Sequence, residues 1–378
     1  MKFLHLSDFH LGKKLNGFSM LRDQEHILKE VIKIIDEEKP EAVLIAGDIY
    51  DKPVPPAEAV SLLDNFLYEL ASRMLRVFII SGNHDSAERL FFGARLMNGG
   101  GVYIAPAYNG TVEPVVLNDA FGELAIYMLP FIKPVNVRRY YEDENIESYD
   151  DAVRKVVEHM NIDKSKRNIL LSHQFVTGAL RSDSEEIHVG GSDNISSEIY
   201  APFDYAALGH IHRAQHVGKE HIRYCGTPLK YSFSEINHIK SASLVELREK
   251  GRIQIREREL LPLHDMRELK GSYMELTARG FYKDFNTEDY FRIILTDEED
   301  VPDAVGRLRT VYPNIMQIDY DNSRTRREQS IEDIDRAENL SPMELFEQFF
   351  EKQNNRKMSE EQVLYMENLI SKVWEEER

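Results

Sequence analysis

The sequence predicts an α/β protein built in layers, followed by a small α+β unit and terminal helices. Three observations predict it. Five short apolar runs in the first 215 residues (3–6, 42–46, 77–80, 169–171 and 205–208) are each followed at once by Gly or Ser and then polar residues, the form of buried strands that stop abruptly. Stretches with helical spacing lie between them, and alternating strands and helices make an α/β layered domain. From about residue 221 the pattern changes, first to strands alone and then to a mixed unit.

Between the first two runs, Leu21, Ile27, Leu28, Val31, Ile32 and Ile35 recur near 3.6 spacing, which predicts a helix that Pro40 ends. A second helix is predicted over 56–73, with Leu62, Leu63, Phe66, Leu67 and Leu70 on one side, and a third near 152–159. Residues 242–246 and 252–257 read as strands. In the mixed unit, 273–277, 290–295 and 315–320 read as strands and 301–311 as a helix. The stretch 321–338 is polar and charged, as a linker is. Ser341-Pro342-Met343-Glu344 and Ser359-Glu360-Glu361-Gln362 are start signals for two tail helices. The expected organisation is 1–262, 263–323, a linker over 324–340, and helices over 341–378.

Composition narrows the class. The chain of 378 residues has no run of 18 apolar residues, so no membrane span is expected. Its start lacks the apolar core of a secretory leader, and its one cysteine, Cys225, has no internal disulfide partner; a cytoplasmic protein fits. The net charge of −18 argues against a tight, stand-alone nucleic-acid binder. Residues 329–378 hold 6 Lys/Arg and 13 Asp/Glu, so the excess is partly in the tail.

Metal-ligand residue types follow each apolar run: Asp8-Phe9-His10, Gly47-Asp48-Ile49-Tyr50-Asp51, Gly82-Asn83-His84-Asp85, Ser172-His173 and Gly209-His210-Ile211-His212. Parallel strands bring their C-terminal ends to one edge, where loops gather into a site. Residues two apart on an extended segment share a direction, which predicts that Asp8 and His10 reach one place, as do His210 and His212. Glycine ahead of the ligands permits sharp turns and close approach. Mixed carboxylate, imidazole and amide donors suit borderline divalent metals such as Mn, Fe or Zn, and a pair of them clamps the oxygens of a phosphoester. Each element alone has an ordinary explanation as a surface turn; all five at strand ends, in order, do not.

The set Asp-x-His, Gly-Asp-x-x-Asp, Gly-Asn-His-Asp, a lone His and Gly-His-x-His resembles that of the calcineurin-like metallophosphoesterases. The resemblance implies a sandwich of two sheets flanked by helices. It implies that Asp8, His10, Asp48 and His212 hold one metal, and Asp48, Asn83, His173 and His210 a second, with Asp48 shared. His84 is then not a ligand but lies beside the scissile phosphate, protonating the leaving oxygen or stabilising its charge, with Asp85 orienting it. A narrower resemblance, to the SbcD family of bacterial nuclease subunits, rests on 4–13, 172–176, Ser182-Asp183-Ser184-Glu185 and 226–235. It implies Mn-dependent cleavage of DNA, as exonuclease on duplex ends and endonuclease on hairpins, in repair, recombination and replication. It implies further that 263–323 is a capping domain, that the tail helices dock on an SbcC-type coiled-coil ATPase, and that two copies dimerise through helices of the first domain, for which 60–70 and 87–97 are the candidates. The competing reading is a metallophosphatase acting on a nucleotide or phosphoprotein; Lys52-Pro53 after Asp51 differs from the Arg-Gly of many protein phosphatases. A scaffold with an inactive fold is a third, against which no ligand type is missing. Lys13, Lys14, Arg89 and Arg95, near the motif loops, are candidate phosphate contacts, each with a solvated-surface alternative, and Lys230, Tyr231 and Ser232 of the SbcD-like segment are candidates to track the DNA backbone.

Overall fold

The computed structural model describes residues 1–142, 145–185, 193–299 and 301–322, with 343, 346, 347, 350, 358, 359, 362–366 and 369 of the tail. Two mixed six-stranded sheets lie face to face. The first runs in the order Ile253–Glu259, Ser241–Leu247, Lys2–Leu6, Ala42–Ala46, Arg76–Ile80, Val102–Ile104; the last four of these are parallel and the first two antiparallel additions. The second runs Gln215–Val217, Lys219–Tyr224, Tyr205–Gly209, Arg167–His173, Gly122–Met128, Val115–Asp119, parallel except at both edges.

The continuity of the apolar runs follows from this layering, because each central strand is covered on both faces. In the first sheet Phe3, Leu44, Phe78 and Ile80 point to the second sheet, where they meet Ile126, Ile169, Leu171 and Tyr205. Their alternates Leu4, Leu6, Val43, Ile45, Val77 and Ile79 point outward. There they pack on the helices Leu21–Glu38 and Ala57–Ser72 through Ile27, Val31, Phe66 and Leu70. The helix Tyr149–Glu158 covers the outer face of the second sheet through Val153 and Val157. The architecture is thus a sandwich of two sheets between helices. The first helix ends at Lys39, in left-handed conformation (φ 48°) with its N–H on the Ile35 carbonyl, one residue ahead of Pro40.

A third, parallel sheet of Met266–Gly271, Tyr290–Leu295 and Ile315–Tyr320 has its own core of Leu276, Phe291, Ile293, Leu295, Leu308 and Tyr312. One expected strand is a helix instead. Ser272 accepts from the Glu275 N–H while Glu275 reaches back to the Ser272 N–H, a reciprocal cap that starts the helix Tyr273–Leu276; the strand is the preceding Met266–Gly271. This unit is tied to the first helix by Asp23, which accepts from the Tyr290 hydroxyl at 2.7 Å and from the His264 N–H at 3.2 Å.

The expected linker and most of the tail, including Phe349 and Trp374, lie outside the described residues. Ser359 and Gln362 do form the expected cap, with Ser359 N–H on Gln362 Oε1 at 3.0 Å and Gln362 N–H on Ser359 Oγ at 3.3 Å. Phe346, Phe350, Met358, Tyr365 and Met366 line an apolar cavity of about 290 Å³. Among the described residues no helix is long and apolar enough to cross a membrane.

Candidate metal centre

All five ligand-bearing loops meet where the C-terminal edges of the two sheets touch. The loop after Leu6 runs along the loop after Ala46: Asp8 N–H donates to Gly47 O at 3.0 Å, His10 N–H to Asp48 O at 3.0 Å and Leu11 N–H to Ile49 O at 2.9 Å. Across the sheets, His210 N–H donates to Asp8 Oδ1 at 3.0 Å, and within the first sheet His84 N–H donates to Asp48 Oδ1 at 3.0 Å. The glycines are there for space. A Cβ on Gly82 would stand 2.1 Å from Asp48 Oδ1, and one on Gly209 1.9 Å from Ala46 O.

Asp8, His10, Asp48 and His210 all have positive φ, of 55°, 46°, 48° and 101°, a region non-glycine residues rarely enter. The expected geometry for Asp8 and His10 is therefore corrected. They converge through left-handed turns, not along an extended segment, and the loop-to-loop hydrogen bonds hold them there. Such strain collects where surrounding contacts over-determine the backbone.

Donor atoms of Asp8, His10 and His212 lie within 4.8 Å of one another, as do those of Asp8, Asp48 and His173, and those of His10, Asp48 and His84. His10 Nε2 faces His212 Nε2 at 3.2 Å. Asp48 Oδ2 stands between two groups, 3.7 Å from His10 Nε2 and 3.4 Å from His173 Nε2. Asn83 Oδ1 joins the second group, 3.0 Å from both His173 Nε2 and His210 Nδ1. All seven residues expected as ligands are thus brought together, in adjoining clusters in which Asp8 and Asp48 each recur.

The electrostatics suit cations. Burial pushes the His10 and His210 rings well below the ordinary histidine value and lowers His212 as well, so these imidazoles are neutral and offer lone pairs, as ligation requires. Burial and the neighbouring Asp48 charge raise Asp8 despite His173. Burial would raise Asp48 too, but His173, His10 and His84 hold it well below the carboxylate range. Burial would lower His173, yet Asp48 and Asp8 bring it up to about 9. His173 Nδ1 lies 2.8 Å from the Ala46 carbonyl, which only accepts, so Nδ1 carries a proton. In the metal-free chain that raised value leaves a proton on Nε2 as well, facing Asp48 Oδ2 and Asn83 Oδ1, and a bound divalent cation would take the place of that proton among the three donor atoms. The donor set fits divalent cations on this ground.

His84 borders the clusters, its Nε2 4.0 Å from Asp48 Oδ2 and its Nδ1 3.1 Å from Asp51 O. Asp85, expected to orient His84, acts on the loop that carries it. Its carboxylate accepts the N–H groups of Gly82, Ile49 and Tyr50 at 2.9, 3.1 and 2.9 Å, so it fastens the loop carrying His84 to the Asp48 loop, and the Asp51 carbonyl orients the ring. Two candidate phosphate contacts are engaged internally, Lys13 with Asp51 at 2.7 Å and Lys230 with Asp265 at 2.8 Å. Sequence reasoning missed Gln24. Buried on the first helix, it donates to His10 O at 2.7 Å and accepts from Gly12 N–H at 3.0 Å, bracing the Asp8–His10 turn. Its signal was available, since an amide sits three residues from Leu21 and four from Leu28 on the apolar side of the helix.

Residues 1–214 match the calcineurin-like phosphoesterase family, and residues 262–354 match the type 5 capsule protein repressor C-terminal domain. The SbcD subunit of the nuclease SbcCD from Staphylococcus epidermidis is 30% identical over 389 aligned positions, covering 100% of both chains. Among solved structures, a dimetal phosphatase from Danio rerio is 11% identical, with a TM-score of 0.42 over 68% of this chain and 96% of that one. A protein from Thermus thermophilus is 13% identical, with a TM-score of 0.39 over 68% and 98%. At those scores neither structure bears on chemistry. The match over more than half the chain and the full-length relative do decide the family: the chain belongs to the calcineurin-like phosphoesterases and, within them, to the SbcD nuclease subunits.

Proposed function

We propose that this chain hydrolyses phosphodiester bonds in DNA, as the nuclease subunit of an ATP-regulated complex with an SbcC-type coiled-coil ATPase. The carrying observation is the position of Asp48, whose one carboxylate faces His10 at 3.7 Å and His173 at 3.4 Å, as a ligand shared by two ions would. On this reading Asp8, His10, Asp48 and His212 hold one divalent ion and Asp48, Asn83, His173 and His210 the other, with Mn as the ion. When bound, the pair supplies Lewis acidity toward a phosphate oxygen and toward a water.

The chain's own residues do the rest. The Asp51 carbonyl accepts from His84 Nδ1, so that atom keeps its proton, and Nε2 is the atom that gives a proton to the leaving oxygen or stabilises its charge. Asp85 keeps the His84 loop in place through three backbone N–H groups. The left-handed turns at Asp8, His10 and Asp48 hold the donors in position before substrate arrives.

The remaining parts of the reading are cytoplasmic location, dimerisation through the first-domain helices, a capping role for 263–323 and docking of the tail on the ATPase. Exposed Val60, Tyr68, Phe92 and Leu96 support the dimer surface, and the capped helix start at Ser359 and the apolar cavity beside it support the docking tail. The test is cleavage of duplex and hairpin DNA by purified protein with Mn²⁺, alone and with the ATPase and ATP. Release of nucleotides supports the proposal. Turnover of a phosphomonoester without DNA cleavage in the full complex would replace it with the phosphatase reading.

A further inference from the structure

His212 is held from three directions, by residues outside the ligand set. Its N–H donates to Glu185 Oε1 at 2.7 Å, and its carbonyl accepts from Lys240 Nζ at 2.9 Å. Its ring Nδ1 lies 2.6 Å from Ser184 Oγ, which is 2.5 Å from Glu235 Oε1. Glu235 is completely buried, and its other oxygen accepts from Lys240 Nζ at 2.5 Å. Lys240 also donates to Thr227 Oγ1 at 2.7 Å.

The donor and acceptor inventory gives this chain one direction. A carboxylate paired with a lysine is ionised and only accepts. The Ser184 hydroxyl has one proton and gives it to Glu235. Its oxygen is left to accept from His212, so His212 carries its proton on Nδ1 and a lone pair on Nε2. Nε2 is the atom that faces His10 Nε2 at 3.2 Å.

We propose that Ser184, with Glu235 and Lys240 behind it, is a positioning relay that fixes the tautomer and ring orientation of His212 for metal binding. The inference rests on the two-ion reading above. It also gives a use to Ser182-Asp183-Ser184-Glu185 and to Ser234-Glu235, two stretches that the catalytic residues leave unexplained. A histidine ligand whose second nitrogen is hydrogen-bonded to a further group is held in one tautomer and binds more tightly, and loss of that group typically weakens the metal 10- to 100-fold.

The experiment is titration of Mn²⁺ into the metal-free full chain by calorimetry, for wild type, Ser184→Ala and Ser184→Thr, with thermal unfolding of each metal-free protein alongside. Expected is a loss of about 10- to 100-fold in affinity at one of two sites for Ser184→Ala, recovery with Ser184→Thr, and unfolding temperatures that do not follow that order. Wild-type affinity in Ser184→Ala overturns the relay while leaving the two-ion reading intact. So does a loss that threonine fails to recover, since the hydroxyl would then not be the active group. A wild-type chain that takes up no Mn²⁺ would overturn both.

Discussion

Gly209 and Ala46 touch so closely that any side chain on Gly209 would collide with the Ala46 carbonyl oxygen at 1.9 Å. They belong to different sheets, and each precedes a ligand-bearing loop. This contact sets how far His210 and His212 stand from Asp48. Gly209→Ala must part the strand ends. It should destabilise the protein by about 1–3 kcal/mol, the usual range for forcing a methyl into a packed core, and reduce Mn²⁺ uptake. Urea denaturation and metal titration check it; an unchanged midpoint with two ions bound would refute it.

His84→Ala should retain two metal ions per chain and lose about 10²- to 10⁴-fold in cleavage rate, the range for a general acid or base. Elemental analysis of the dialysed protein and single-turnover kinetics separate the two effects. His84 also lies within ligand range of His10 and Asp48, so loss of an ion in the variant would make it a ligand.

His5 predicts an acid-sensitive term away from the ligands. It lies between the sheets with Nδ1 2.8 Å from the Tyr205 hydroxyl, and burial, with Arg223 nearby, lowers it to about 3. Unfolded, it titrates near 6.5. Below that the unfolded chain binds a proton that the folded chain refuses, so stability falls as pH drops from about 6.5 toward 3, by up to ~1.4 kcal/mol per pH unit. His5→Phe should flatten the slope of unfolding free energy against pH in that window. An unaltered slope would mean that His5 is protonated in the fold.

Removal of residues 339–378 should abolish co-elution with the ATPase on gel filtration while leaving Mn²⁺ binding intact. A complex that survives the truncation would assign docking to another surface.

Much of the sandwich was legible because its central strands are buried on both faces. That leaves uninterrupted apolar runs such as 42–46, which the structure reproduces as Ala42–Ala46. The edge strand Val115–Asp119 and its neighbour Gly122–Met128 were not legible, since polar residues such as Asn118 and Glu123 break their pattern. The helix at Tyr273–Leu276 was misread because an apolar residue followed by alternation outweighed its cap. At the site, residue types and order sufficed to gather seven donors. The left-handed backbone at Asp8, His10, Asp48 and His210 left no trace, because it is imposed by hydrogen bonds between loops far apart in the chain. The relay behind His212 was hidden for the same reason, with Ser184, Glu235 and Lys240 joined only by the fold.

The strand Lys2–Leu6 sits between Ala42–Ala46 and Ser241–Leu247, and this has a cost in time during synthesis. At ~5–20 residues per second, about 10 to 50 s separate the emergence of residue 6 from that of residue 247. Until then one edge of that strand, which ends two residues before Asp8, is bare, and such edges recruit strands from other chains. A chaperone that shields the nascent amino-terminal strand should therefore raise the yield of folded enzyme more than one acting after release.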